Sequence, residues 1–400
     1  MKHLDTNYHD FDTSLLTSDM QAIVLLEMFA KYRSRRPVLT VSQAYSRLYL
    51  SLVRDNQRLL ADPLAPFRAL STTFADENGM QAAWSIWLEL ETRRRVFISA
   101  FILKTQHEAL FELDAENAST PSESIHLPLP CSDILWNCSY FEWSLIASAE
   151  QSNNLPFAAI SALNRHLSLD DFQSLTVLSY FACSGMTCSE QEDLLGFGET
   201  LQSAPLSSAS ALLSYDAFLL VRYVPIRDLL AVSGESWILG RKLSLESEFE
   251  HAKRRLRVWV DGDTAKRAVS CAVHILNIAF TRRPHRTGLL HEQWILYLAA
   301  LVCWSYNFSS SAMQPSSSNL ALSTLGPPLN DYEQNTQRYL TAFDTGSWKD
   351  IGHVSDQTYI DSLLQWVRSE TSAPALSGLL NEASGVLAKL IDGRSVLSNF

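Results

Sequence analysis

A chain of 400 residues, 46% hydrophobic and only 19% charged, is long enough to bury one large core or two packed halves and is no disordered tail. Its formal net charge of −11 sets up a field that repels a polyphosphate, which speaks against direct DNA binding by this chain. Six cysteines without framework spacing exclude a disulfide scaffold, and the most apolar stretch, Trp294–Trp304, is too short to cross a bilayer.

From Ser18 to Tyr32 the apolar residues Met20, Ile23, Val24, Leu26, Met28 and Phe29 crowd round a helix, which predicts burial on most sides. Val41–Leu60 carries Tyr45, Leu48, Leu52 and Leu59 at helical steps. Asp62 before Pro63 signals a short helix running through Phe74. Trp84–Leu110, free of Gly and Pro, reads as a long helix on which Glu91 and Arg95 form an i,i+4 pair. If exposed, such a pair contributes only about 0.3–0.5 kcal/mol. The basic runs Arg33–Arg36, Arg93–Arg95, Arg254–Arg257 and Arg282–Arg286 read as solvated helix faces or loop ends.

Asp114–Pro130 is a loop closed by Leu127-Pro128-Leu129-Pro130, and Ser132 or Asp133 can cap the helix that carries Leu135, Trp136, Phe141 and Trp143. Further helices are expected over Ser168–Ala182, Leu212–Val232, Leu245–Val260, Thr264–Phe280 and Leu289–Phe308, with Trp294–Trp304 in the core. Ser203–Ser210 and the uncharged, Ser/Pro-rich 309–328 read as loops. Tyr332–Phe343, Gln357–Arg368 and Ala375–Leu390 close the chain as helices. No strand pattern of convincing length is present, so the fold class is all-α: a large irregular domain of roughly a dozen or more packed helices.

Chemistry is sparse. Cys183-x4-Cys188 comes nearest to finger spacing, but the next histidines are His251 and His274. His107-Glu108 and His291-Glu292 begin like a zincin helix, yet Phe111 and Ile295 stand where a second histidine is needed. Gly196-Phe197-Gly198 lacks the third glycine of a dinucleotide loop. Asp170-Asp171 invites comparison with terpene cyclases but does not continue to a third aspartate, and it reads better as the acidic first turn of a helix. No catalytic, cofactor or metal residue is assigned.

Several stretches resemble the fungal-specific transcription factor domain, the helical middle homology region found beside zinc modules in fungal regulators. They are Met20–Phe29 with Lys31–Ser34, Trp84–Gln106, Leu127–Asp133 with Trp136, and Ala265–Val269 continuing through His291–Trp304. Their order and spacing carry the resemblance over about residues 18 to 308. It implies a nuclear regulator of RNA polymerase II transcription. On this view residues 1–308 are the regulatory region without its N-terminal part, 309–328 a loop, and 329–400 helices on the same body. DNA is then reached only through a missing or separate zinc module, and protein partners or self-association are expected because the absent part leaves apolar faces to cover. A small-molecule effector in a helix-lined pocket is compatible with this reading; a membrane is not. The competing class is an all-α enzyme, terpene-cyclase-like or other, with convergent polar groups in such a pocket.

Overall fold

The computed structural model describes residues 16–34, 40–54, 59–70, 77–111, 128–149, 169–184, 188–203, 208–234, 237–238, 241–242, 245–282, 289–312, 331–344, 357–372 and 377–393. Among these the fold is all-α. Two strands of two residues each, β1 (Trp237–Ile238) and β2 (Arg241–Lys242), pair as a small antiparallel hairpin. The described residues fall into two compact units, one drawn from Met1–Phe29, Val41–Gln106 and Asp114–Thr200, the other from Ala30–Thr40, His107–Leu113 and Leu201–Phe400.

The first unit holds most of α1 (Thr17–Tyr32), α2 (Gln43–Arg54), α3 (Ala65–Leu70), most of α4 (Glu77–Phe111), α5 (Asp133–Asn137), α6 (Tyr140–Ala149), α7 (Asp171–Ser184) and most of α8 (Cys188–Ser203). Tryptophan dominates one of its cores. Trp87 and Trp143 lie 5.5 Å apart, and Phe67 meets Trp143 edge-on at 4.9 Å, with Leu64, Leu135 and Ala147 filling the gaps. Further along α4, the Tyr45 hydroxyl donates to the Ala100 carbonyl and Tyr49 packs against Phe97.

The second unit contains α9 (Ala209–Tyr223), α10 (Ile226–Val232), α11 (Glu246–Val260), α12 (Asp263–Thr281), α13 (Glu292–Ala312), α14 (Asp331–Asp344), α15 (Gln357–Thr371) and α16 (Gly378–Ile391). Trp294–Trp304 of α13 is buried throughout, as its apolar run requires. This helix packs against α12 and α15, and α12 packs against α9. Ser208 caps α9 by accepting the Ser210 amide at 3.0 Å, and Ser377 caps α16 by accepting the Leu380 amide at 3.4 Å.

Several expectations are corrected. The helix expected over Leu212–Val232 is two helices, α9 and α10, bent by 81°. Pro225 forces Val224 into extended geometry (φ −111°, ψ 130°), so the first helix stops there. The α1 helix is not buried on most sides: Leu25, Leu26 and Phe29 face solvent. Arg94 is buried and Arg95 mostly so, which removes them from the class of solvated basic faces. The expected stop at Phe308 gives way to a helix reaching Ala312. Leu127, Ser168, Phe74, 204–207 and most of 309–328 lie outside the described residues.

No single helix among the described residues is long and apolar enough to cross a membrane.

Candidate functional site

One turn of α4 concentrates the buried charge of the first unit. Glu91 is 0% exposed, and its carboxylate accepts the Cys131 amide at 2.8 Å while facing Arg94 at 3.5 Å and Arg95 at 3.4 Å. Arg94 turns one way and donates to the Leu59 and Ala61 carbonyls at 2.9 and 2.8 Å. Arg95 turns the other way. It donates to the Cys131 carbonyl at 2.8 Å, and its guanidinium lies over the Trp136 ring at 4.5 Å and the Phe172 ring at 4.9 Å.

The cluster continues into the start of α7. The Asp170 carboxylate accepts the Asp133 and Gln173 amides, each at 2.8 Å, and the Gln173 side chain reaches back to the Asp170 amide at 3.3 Å. This is a capping box with Asp170 as N-cap, so the helix-start reading of Asp170-Asp171 is the one the hydrogen bonds draw. Gln173 also donates to the Pro130 carbonyl at 2.9 Å. Segments 59–61, 128–133 and 170–173 are thereby fastened to a single helical turn.

Burial is the first influence on these groups. It pushes Glu91 above the usual carboxylate range against the pull of Arg94 and Arg95, and it pulls Arg94 down. Cys131 is pushed up, by burial first and then by the neighbouring Glu91 charge. A thiol held in its protonated form is a poor nucleophile, and what the hydrogen bonds of the cluster do is fasten segments together.

In the second unit, Asp216 of α9 and Nδ1 of His274 on α12 are 2.5 Å apart. Burial raises Asp216, and His274 opposes that rise. A buried aspartate orienting an imidazole is one part of a catalytic triad. Cys271 stands one turn before His274, but burial and the Asp216 charge push its thiol up to about 12, opposite to the shift an activated nucleophile needs. The two zincin-like histidines are core residues: burial lowers His107 to about 3, helped by Lys31, and His291 to about 4.

No group of three His, Cys, Asp or Glu side chains among the described residues is placed to hold a metal ion. A depression of about 600 Å³ is lined by Gln334, Gln337, Arg338, Thr341 and Ala342. All five of these described lining residues lie on α14.

The i,i+4 spacing of Glu91 and Arg95 was visible, but not its burial, and Asp216 gave one signal only, a lone acid inside the apolar run of α9.

Comparison with known proteins fits a scaffold of this kind. Residues 7–257 match the model described as the fungal specific transcription factor domain, a span that includes α4 and the whole Glu91 cluster and ends before the stretches at Ala265–Val269 and His291–Trp304. The zinc finger protein klf1 of Schizosaccharomyces pombe is 24% identical, over 93% of this chain and 50% of that protein. The nicotinate catabolism cluster-specific transcription factor of Emericella nidulans is 22% identical, over 72% of this chain and 38% of that protein. The chain thus spans half or less of the length of these two relatives. No solved structure matches.

Proposed function

The chain belongs to the fungal specific transcription factor domain family, and from that premise we propose that it is the regulatory body of a fungal RNA polymerase II transcription factor, working in the nucleus. The single observation that carries this reading is the family match over residues 7–257, which encloses a buried charge cluster devoted to holding segments together. One relative is named a transcription factor and the other a zinc finger protein. DNA contact is supplied by a zinc module in a separate segment or partner, because these 400 residues contain no Cys-x2-Cys and carry a net charge of −11.

The test is to fuse the whole chain to an unrelated DNA-binding module in a fungal cell carrying a matching reporter. The expected result is nuclear protein and a severalfold change in reporter output, up or down, relative to the module alone. Unchanged output at equal nuclear protein overturns the proposal.

A further inference from the structure

Asp216 sits in the middle of α9 with its side chain only 4% exposed. Leu213 and Leu220, one turn to either side of it on the same face, are buried, so its own helix surrounds the acid with apolar groups. A carboxylate kept that dry is costly to ionise unless a counter-charge lies against it. The group that lies against it is Nδ1 of His274 on α12, at 2.5 Å. His274 differs from its partner in one respect that matters. Its side chain is 38% exposed, so it trades protons with solvent while Asp216 stays dry.

The titratable groups set against Asp216 both come from α12. They are His274 and, one turn before it, Cys271, whose thiol is pushed up by burial first and then by the Asp216 charge. A thiol kept protonated brings no charge, so the imidazole is left to balance the acid. The other charges of α12 are engaged at its start, where Lys266 donates to Asp263 at 2.9 Å and Arg267 lies over the Tyr223 ring at 5.9 Å. On α13, which also packs on α9, the titratable groups are Glu292, Tyr297, Cys303 and Tyr306. Burial raises Asp216 and His274 opposes that rise; among the described residues no group of α13, or of α11 and α14, which pack on α12, adds to these two influences.

We propose that the Asp216–His274 pair is a proton-operated latch, which clamps α9 to α12 while the pair holds one titrating proton and lets the two helices work loose as rising pH removes it. With that proton the pair is neutral as a whole, and imidazolium against carboxylate is a charge-assisted hydrogen bond. Without it a buried negative charge faces a neutral ring, and the seam is weakened by the difference. The contribution is therefore complete on the acid side of the pair's titration and is lost as pH rises through it. The upward shift of Asp216 acts in the same direction, because the folded chain holds a proton that the unfolded chain releases. Histidine is the side chain that ordinarily titrates near neutral pH, which puts the latch within the range a cell can reach. Since α9, α11, α13 and α14 all pack on α12, slack at this seam is felt across the second unit. The latch does not depend on what the chain regulates.

The test is a double-mutant cycle on the whole chain, with Asp216→Asn, His274→Gln and the two together, followed by urea unfolding at pH 6 and pH 9. Every other titrating group, the buried His291 included, is common to all four proteins and cancels. The expected coupling is about tenfold or more in the unfolding constant at pH 6, falling to about threefold or less at pH 9. Coupling that is equal at the two pH values, or larger at pH 9, overturns the latch. Should Asp216→Asn fail to fold, amide hydrogen exchange supplies the reading from wild type and His274→Gln. Corrected for its intrinsic pH dependence and taken relative to α16, exchange over α9 and α12 of wild type should quicken severalfold between pH 6 and pH 9, and that of His274→Gln should be fast at both. A wild-type ratio that stays constant between the two pH values overturns the latch as well.

Discussion

The Trp294 indole donates to the Leu110 carbonyl at 3.2 Å, joining residues 184 positions apart in the chain. Phe111 stacks on Trp294 at 5.4 Å, nearly parallel, and the Lys31 ammonium lies 4.4 Å from the centre of the Phe111 ring. The start of α13 is therefore fixed by groups that no local pattern supplies, and the rest of its apolar run follows it into the core.

That placement sets the cost of disturbing it. Leu298 is 2% exposed, so Leu298→Ala should cost about 2–5 kcal/mol. Leu298→Asp should cost more, by burying a charge without a partner. Thermal or urea unfolding of the purified variants reads this directly, and an unchanged midpoint for Leu298→Asp places the helix elsewhere.

Removing the carboxylate at the hub of the first unit should be worse than neutralising it. Glu91→Ala leaves the Cys131 amide without its acceptor and removes the buried carboxylate that Arg94 and Arg95 both face, a loss of about 3–5 kcal/mol. Glu91→Gln keeps an acceptor for that amide and should lose less. Arg95→Lys tests the planar stacking, since an ammonium cannot lie flat between Trp136 and Phe172. Equal unfolding midpoints for Glu91→Ala and Glu91→Gln contradict the hydrogen-bond account.

Acid should loosen the second unit through its buried histidines. His291 sits at about 4 in the folded protein against an ordinary value of 6.5, and burial is the cause. A depressed imidazole refuses a proton that the unfolded chain accepts, so stability falls as pH drops through 6.5 and the loss is complete below about 4. Between pH 7 and pH 5 this one group should withdraw about 2 kcal/mol. His291→Gln should flatten that part of the stability curve relative to wild type. Parallel curves for the two proteins exclude His291 as the source.

A metal chelator should leave the helical circular dichroism of this chain intact, and a duplex-DNA titration should show no specific binding. The grounds are the −11 charge and the lack, among the described residues, of three metal-ligating side chains in one place. Zinc recovered in stoichiometric amount after dialysis contradicts this.

What the sequence made legible was whatever depends on near neighbours. The apolar run Trp294–Trp304, the cap at Ser132 and the acidic helix start at Asp170-Asp171 are each written within a few positions and found in the structure, although Asp170 proves to be the N-cap and not part of the first turn. Glu91 and Arg95 were legible as a pair but not as a hub, because their spacing is the same on a surface as in a core and their partners lie about 30 to 40 positions away. Asp216 and His274, 58 positions apart, left no joint trace. The crowding of apolar residues on α1 suggested burial on most sides, yet six of them cannot all face inward from one packed helix face, and Leu26 and Phe29 do not.

The elbow at Pro225 sets the reach of the apolar stretch around it. Residues 209–232 are apolar enough, taken together, to pass as a bilayer-crossing segment. A straight helix of that length would rise about 36 Å, more than the roughly 30 Å of a hydrocarbon core. Bent by 81°, it offers arms of 15 and 7 residues, about 23 and 11 Å long, and neither arm reaches across. At the bend, the Tyr223 carbonyl takes the Trp259 indole N–H at 2.6 Å. One imino acid thus turns a single apolar stretch into two short arms that can each pack on a different side of the same corner.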